Sequence, residues 1–463
     1  MKQWWKILTI VVGVTAPALA QQPARMLSLP EATSLALERN PDLATIEQRL
    51  VAARAALRQA EASFYPHLRV GETYAASDNP VQAFMMTLNQ RRLSLSPTTD
   101  FNDPPTTDNF NTRLFATYSL YDGGSTLADR QAARRGTEVA AYSLEAARND
   151  LVFQVSHSFH TIGKARQLIR TAEAAATSME ANVRVARGRF EEGNALKTDV
   201  LDAEVRLAEV RVDLLHARNS LAISEAIFRN VLGVREDEPI TAADMYDPAA
   251  ASPDGLPSND GADPREAPLG ENHEIPDNQK ALGISAHPEF LAAERAVAVA
   301  EHRLRSAKGG YLPRVNGFGG YDLDSDDLDR FSDSFVAGVS VEIDVFDGFL
   351  TSGQVAAARA DLAGAREKLR RTELAIRLEA KQAELSLAEA QARLRTTARA
   401  VEQAAESLQI TKERYANGLA LLAQLLDAET ALTASRQRRA TAAADLQIAR
   451  AALNRALGRG WEE

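Results

Sequence analysis

The acidic run YDLDSDDLDRFSD brings Asp322, Asp324, Asp326, Asp327, Asp329 and Asp333 close together, a composition that invites calcium. A calcium loop wants glycine at its sharp turn and a closing glutamate. Here Asp327 takes the glycine place and no glutamate ends the run, so it reads as a solvated outer loop. His157 and His160 stand one helical turn apart, which a metal would permit, yet no glutamate joins them at a recognised spacing. They read as helix-surface histidines. No nucleophile elbow, phosphate loop or zinc-helix motif occurs. The chemistry-bearing residues point to no enzyme, no metal and no cofactor.

The elements that carry these residues are mostly helical. Of 463 residues, 45% are hydrophobic, chiefly Ala and Leu, and only 6% are aromatic, which favours long helices. The N-terminus MKQWWKILTIVVGVTAPALAQQ has Lys2 and Lys6, an apolar run from Ile7 to Val14, and Ala18-Leu19-Ala20. That pattern is an export signal over residues 1–20, cut after Ala20; the run is too short to span a bilayer. There is no cysteine, so disulfides, cysteine metal sites and a cysteine lipid anchor are all excluded. The net charge of -10 becomes -12 once Lys2 and Lys6 leave, which disfavours nucleic acid as a partner. No later apolar run reaches membrane-helix length, so a membrane could be crossed only by strands.

The chain repeats itself. RFEEGNALKTDVLDAEVRL at Arg189–Leu207 returns as RYANGLALLAQLLDAETAL at Arg414–Leu432, a constant spacing of 225 residues. YSLYDGG (Tyr118–Gly124) returns at the same spacing as IDVFDGF (Ile343–Phe349). Asn40-Pro41 and Pro66 return at a spacing of 247 as His287-Pro288 and Pro313, so the first half carries 22 extra residues, including VQAFMMTLNQRRLSL. Seven of the 18 prolines crowd into Pro239–Pro276, an irregular connector. The expected organisation is a first repeat over 21–233, a connector over 234–280 and a second repeat over 281–463.

Each repeat opens with a short helix, followed by paired strands at 64–121 and 311–346. The apolar strand faces are Phe110, Thr112, Leu114, Ala116, Tyr118 and Leu120, and Phe335, Ala337, Val339, Val341, Ile343 and Val345. A soluble half-buried sheet would show the same alternation. A helical run of about 67 residues follows, roughly 100 Å long. Its heptad seams are Ser158, Ile162, Ala165, Ile169, Ala172, Ala176, Met179, Val183 and Ala383, Leu387, Ala390, Leu394, Thr397, Val401, Ala404, Leu408. At Gly193 or Gly418 the helix can stop and turn back, making each quoted motif the tip of a helical hairpin. Four strands cannot close a barrel, and an open edge cannot lie in lipid, so strands that span a membrane must be pooled by several chains. Two chains would give eight strands and three would give twelve.

With these features the chain resembles the TolC-like outer membrane factors. The resemblance rests on the aromatic-Asp-Gly strand-to-helix turns (Tyr121-Asp122-Gly123 and Phe346-Asp347-Gly348) and on the tips RFEEGNALKTDVLDA and RYANGLALLAQLLDA. It covers nearly the whole mature chain. It implies a mainly α fold with a β-barrel part: duplicated coiled-coil hairpins forming a trimeric α-barrel tunnel, and four strands per chain entering a shared 12-stranded outer-membrane β-barrel. The implied protein is a homotrimeric, passive exit duct of a tripartite efflux or type I secretion system. Its partners would be a periplasmic adaptor, an inner-membrane transporter and outer-membrane lipid.

The resemblance also implies roles for the tips. Inward-pointing aspartates would narrow the periplasmic aperture and favour cations, which places Asp427, its counterpart Asp202, and Asp199 at the entrance. Gln424 stands where the fuller pattern has a second aspartate, leaving either a weaker electrostatic gate or a seam closed by Leu421 and Leu422. Gly193, Asn194, Gly418 and Leu419 would meet the adaptor, with Arg189 and Arg414 bonding across the tip. The rival from another class is a periplasmic coiled-coil structural or adaptor protein without a membrane barrel.

Overall fold

The computed structural model describes residues 25–94, 100, 102–235, 238–244, 284–327 and 329–459. The expected export signal and most of the connector lie outside them. The described residues fall into two compact units that cut across the repeats. One draws on the described residues within Met1–Asn40, Gln154–Ser258 and Leu394–Ala444, the other on those within Pro41–Phe153, Asn259–Arg393 and Asp445–Glu463.

In chain order the elements are β1 (Arg25–Leu27), α1 (Leu29–Arg39), α2 (Pro41–Ala62), β2 (His67–Ser77), α3 (Pro80–Asn89), β3 (Thr107–Asp122) and α4 (Ser125–Glu191). Next come α5 (Lys197–Leu232), β4 (Ile240–Ala242), α6 (Pro288–Gly309), β5 (Arg314–Ser325), β6 (Ser332–Glu342), α7 (Leu350–Ala416) and α8 (Leu422–Ala456). The single opening helix expected of the first repeat is two, because Pro41 cannot continue α1 and instead starts α2.

The second unit holds a four-stranded antiparallel sheet in the order β2-β3-β5-β6. The register puts Leu68, Val70 and Tyr74 in line with Ala116, Leu114 and Phe110, and Leu114 in line with Tyr321 and Phe335. Leu68, Val70, Tyr74, Leu114, Tyr118, Tyr321, Phe335, Val339 and Val341 are all exposed. The opposite face carries the bonded polar groups beside the stacked rings of Phe115 and Phe318: Asp324 takes bonds from Asn109 (2.8 Å) and Asn111 (3.1 Å), and Asp322 pairs with Arg113. A soluble sheet buries its apolar face; this one buries its polar groups. β6 ends at Glu342 rather than running to Val345 as the alternation suggests. Its partner β5 begins at Arg314, opposite Glu342, so among the described residues no strand lies beside 343–346. In the first repeat β3 continues to Asp122 because β5 flanks it there.

Both strand-to-helix turns use one device. Gly123 and Gly348 take left-handed backbone, with φ of 73° and 66°. The carboxylate before each caps the next helix: Asp122 accepts from the amide of Thr126 (2.7 Å), and Asp347 from that of Thr351 (2.7 Å). Bonds from the Thr351 hydroxyl, then its amide, hold the Asp347 carboxyl below the usual carboxylate range. Asp122→Ala is expected to cost about 1 kcal/mol, the usual loss of a cap, read as a lowered midpoint of thermal unfolding.

In the first unit β1 and β4 form a small parallel pair. Arg166 fastens it, donating to the Ala242 carbonyl (2.6 Å) and the Thr241 hydroxyl (2.7 Å). The connector is thus regular and buried at Ile240–Ala242, because β1 supplies the strand partner and Arg166 bonds to its end. The C-terminal end of α5 abuts the end of α1: Gly233 (φ 69°) lies so close that a Cβ there would sit 2.4 Å from the Arg39 carbonyl oxygen.

Candidate functional site

The two hairpin tips share one backbone. At the first, the Gly193 amide donates to Phe190 and the Asn194 amide to Arg189 (2.7 Å); at the second, Gly418 donates to Tyr415 and Leu419 to Arg414 (2.8 Å). Gly193 and Gly418 have φ of 78° and 72°, the left-handed step that satisfies the last carbonyls of a helix. Asn194 and Leu419 are exposed at the turns.

The two arginines behave differently. Arg189 crosses to the second tip, donating to the Tyr415 carbonyl (3.2 Å) with its guanidinium 4.2 Å from the centroid of the Tyr415 ring. Arg414 stays at home and reaches only its own turn, at the Leu419 carbonyl (3.5 Å).

The acidic candidates separate by geometry. Asp199 reaches back to the Leu196 amide (3.0 Å), and Gln424 makes the same bond to the Leu421 amide (3.3 Å). Each is therefore the third-residue cap of a returning helix, and Gln replaces Asp there because only an acceptor oxygen is needed. Asp202 and Asp427 are exposed, Asp427 lying 3.8 Å from Arg206. These two carboxylates are open to solvent.

Beneath the tips is an apolar core of Met179, Val183 and Ala186 from α4, Val200 and Ala203 from α5, Leu408 and Tyr415 from α7, and Leu422, Leu425, Leu426 and Leu432 from α8. Within it sits a carboxylate that sequence reasoning missed. Glu429, with its side chain only 4% exposed, accepts from Ser178 Oγ (2.7 Å) and Asn182 Nδ2 (2.7 Å) and pairs with Lys412 (3.2 Å). The available signal was the Lys412–Glu429 spacing, which repeats as Arg187–Glu204, also an ion pair. Glu429→Ala is expected to cost about 1–3 kcal/mol, since buried Asn182 then loses its acceptor while half-exposed Lys412 is rehydrated. Thermal unfolding of the purified protein checks this.

The acidic run is corrected in part. Asp322 and Asp324 are strand residues of β5 with amide and guanidinium partners, and Asp324 is only 2% exposed. Only Asp326, Asp327 and Asp329 lie in the turn itself, where Asp326 pairs with Arg92. The extra segment of the first repeat forms α3, capped by Asn79 and fastened to the second turn by Ser332, whose hydroxyl donates to the Gln90 carbonyl (2.9 Å). His157 is exposed whereas His160 is buried, its imidazole pushed below the usual range first by burial and then by His157. Among the described residues no cluster of three or more metal-ligating side chains occurs, and no helix is long and apolar enough to cross a membrane, which says nothing of a barrel.

Comparison with known proteins follows the same architecture. Protein CyaE of Bordetella pertussis is 26% identical over 460 residues, covering 96% of this chain and 88% of that one. Outer membrane efflux protein BepC of Brucella suis is 24% identical over 254 residues, covering 53% of this chain and 50% of that one. The crystal structure of the outer membrane protein VceC from Vibrio cholerae superposes with a TM-score of 0.77 at 20% identity, over 94% of this chain and 97% of that one, a likeness of fold. The family profile described as outer membrane efflux protein matches residues 32–234 and 282–459. This duplicated chain of helical hairpins and paired strands belongs to the outer membrane efflux protein family.

Proposed function

We propose that the protein is the exit duct of a tripartite efflux or type I secretion system, a homotrimer whose chains pool four strands each into one outer-membrane barrel. The observation that carries this reading is the inside-out sheet, with Leu68, Val70, Val339 and Val341 open on one face and Asp322 and Asp324 bonded on the other. Its outer strands, β2 and β6, each have one edge without a strand partner among the described residues. Backbone edges are not tolerated in lipid, so the sheet is complete only when copies join edge to edge.

The helical hairpins are the pieces of a shared conduit reaching a periplasmic adaptor and an inner-membrane transporter. Gly193, Asn194, Gly418 and Leu419 form the docking tips. Asp427 and Asp202 ring the entrance and give it a preference for cations, because several copies of one carboxylate around an axis add their potentials. Energy comes from the transporter, and the duct contributes no catalysis. The chain reaches the outer membrane after its signal over residues 1–20 is removed.

Photo-crosslinkers placed at Asn194 and Leu419 in living cells test the docking. Capture of a periplasmic adaptor, identified by mass spectrometry, supports it. Well-expressed protein that captures none from either position would put a structural coiled-coil protein ahead.

A further inference from the structure

The repeat allows one seam to be read from another. Inside the chain, the first tip gives Ser178, Asn182 and Arg189 to a pocket on the second tip formed by Glu429, Leu426 and Tyr415. At the spacing of 225 residues that relates the repeats, the counterparts of the donors are Gln403, Ser407 and Arg414, and those of the pocket are Glu204, Leu201 and Phe190. The donors' counterparts are all exposed. The pocket's counterparts are half-built: Phe190 is 44% exposed where Tyr415 is 9%, and Leu201 is 49% exposed where Leu426 is 3%. The Glu204 side chain is 38% exposed where that of Glu429 is 4%, and it already holds the same intra-hairpin cation, Arg187 in place of Lys412.

Resting on the assembly reading above, we propose that the first tip of each chain receives the second tip of a neighbouring copy. The amide of Gln403 and the hydroxyl of Ser407 from that copy donate to Glu204, its Arg414 stacks on Phe190, and Leu201 is covered. The chemistry supports the equivalence beyond position. Ser178 and Asn182 supply a hydroxyl and an amide; Ser407 and Gln403 supply the same two groups with places exchanged. Both sets are the donors that a carboxylate needs. Arg414, whose partner here is only its own turn, gains the aromatic face that Arg189 already has. The contact is heterologous, one patch to a different patch, and such contacts close into a ring when the rotation between copies closes.

Since the chain has no cysteine, engineered pairs give a clean readout. Full-length protein carrying Glu204→Cys with Ser407→Cys, and a second variant carrying Phe190→Cys with Arg414→Cys, is treated in outer membranes with a short bis-thiol reagent. Both are expected to give covalent dimers and closed trimers on denaturing gels. Each single variant should give none, and Asn182→Cys with Glu429→Cys should crosslink only within one chain. Trimers intact by native mass spectrometry but uncrosslinked from both pairs would overturn this seam. Absence of any trimer in that spectrum would instead overturn the assembly reading.

Discussion

Proline at Val339 or Ser340 is expected to cut the proposed multimer at least about tenfold, since an unsatisfied backbone group in lipid costs several kcal/mol. These neighbours lie in the second half of β6, opposite Gly317 and Asn316. Successive amides of a strand point to opposite sides, so one of the two variants breaks the ladder to β5 and the other breaks only the bare edge. The second is the informative one, because it leaves the sheet of the single chain whole. Carrying the β3–β5 register through the repeat spacings sets Val341 against Glu72 of the neighbouring copy and Ile343 against Val70 of the neighbouring copy. Residues 343–346, which leave the strand here, would then extend it. Semi-native electrophoresis of outer-membrane fractions reads the effect, with Ser94→Pro in an exposed loop as a control that should retain the multimer. Unchanged multimer in both β6 variants would count against a pooled barrel.

Gly233→Ala is the other change with a large expected cost, about 2–4 kcal/mol. Two terms add. The left-handed backbone (φ 69°) penalises any Cβ by about 1 kcal/mol, and overpacking adds about 1–3 kcal/mol. The overpacking cannot be relieved by a side-chain rotation, since the atoms met are the Arg39 carbonyl carbon and oxygen and Asn40 Cα. Gly193→Ala has the same kind of backbone (φ 78°) and open space around it, so only the first term applies. Comparing the two thermal unfolding midpoints separates conformational strain from close packing. Equal midpoints would show that the approach of α5 to Arg39 is not tight in solution.

Much of this architecture was legible because duplication makes a sequence comment on itself. Gly123, Gly193 and Gly233 and their partners Gly348, Gly418 and Gly458 all adopt positive φ, so glycine at matching places did mark where the backbone turns. Where the repeats differ in residue type the reading weakened. Gly124 (φ 82°) is matched by Phe349 (φ 68°), a conformation that side chains resist and that no pattern announces. Gln424 looked like a lost charge, whereas the bond to the Leu421 amide shows a kept acceptor. Asp322 and Asp324 looked solvated because charge runs usually are; their partners Asn109, Asn111 and Arg113 lie more than 200 residues away in sequence. Glu429 was invisible for the same reason, since its burial depends on Ser178 and Asn182 from the other repeat. Local periodicity reports one element's faces, and these contacts join elements that nothing local connects.

The central claim is that several copies pool their strands in lipid. Cryo-electron microscopy of protein extracted from outer membranes into nanodiscs tests it most directly. Three copies are expected around a closed barrel of twelve strands, β6 of each paired with β2 of the next, with Leu68, Val70, Val339 and Val341 facing lipid. A particle whose sheet stays open in each chain, its apolar face packed on protein and away from lipid, would contradict it.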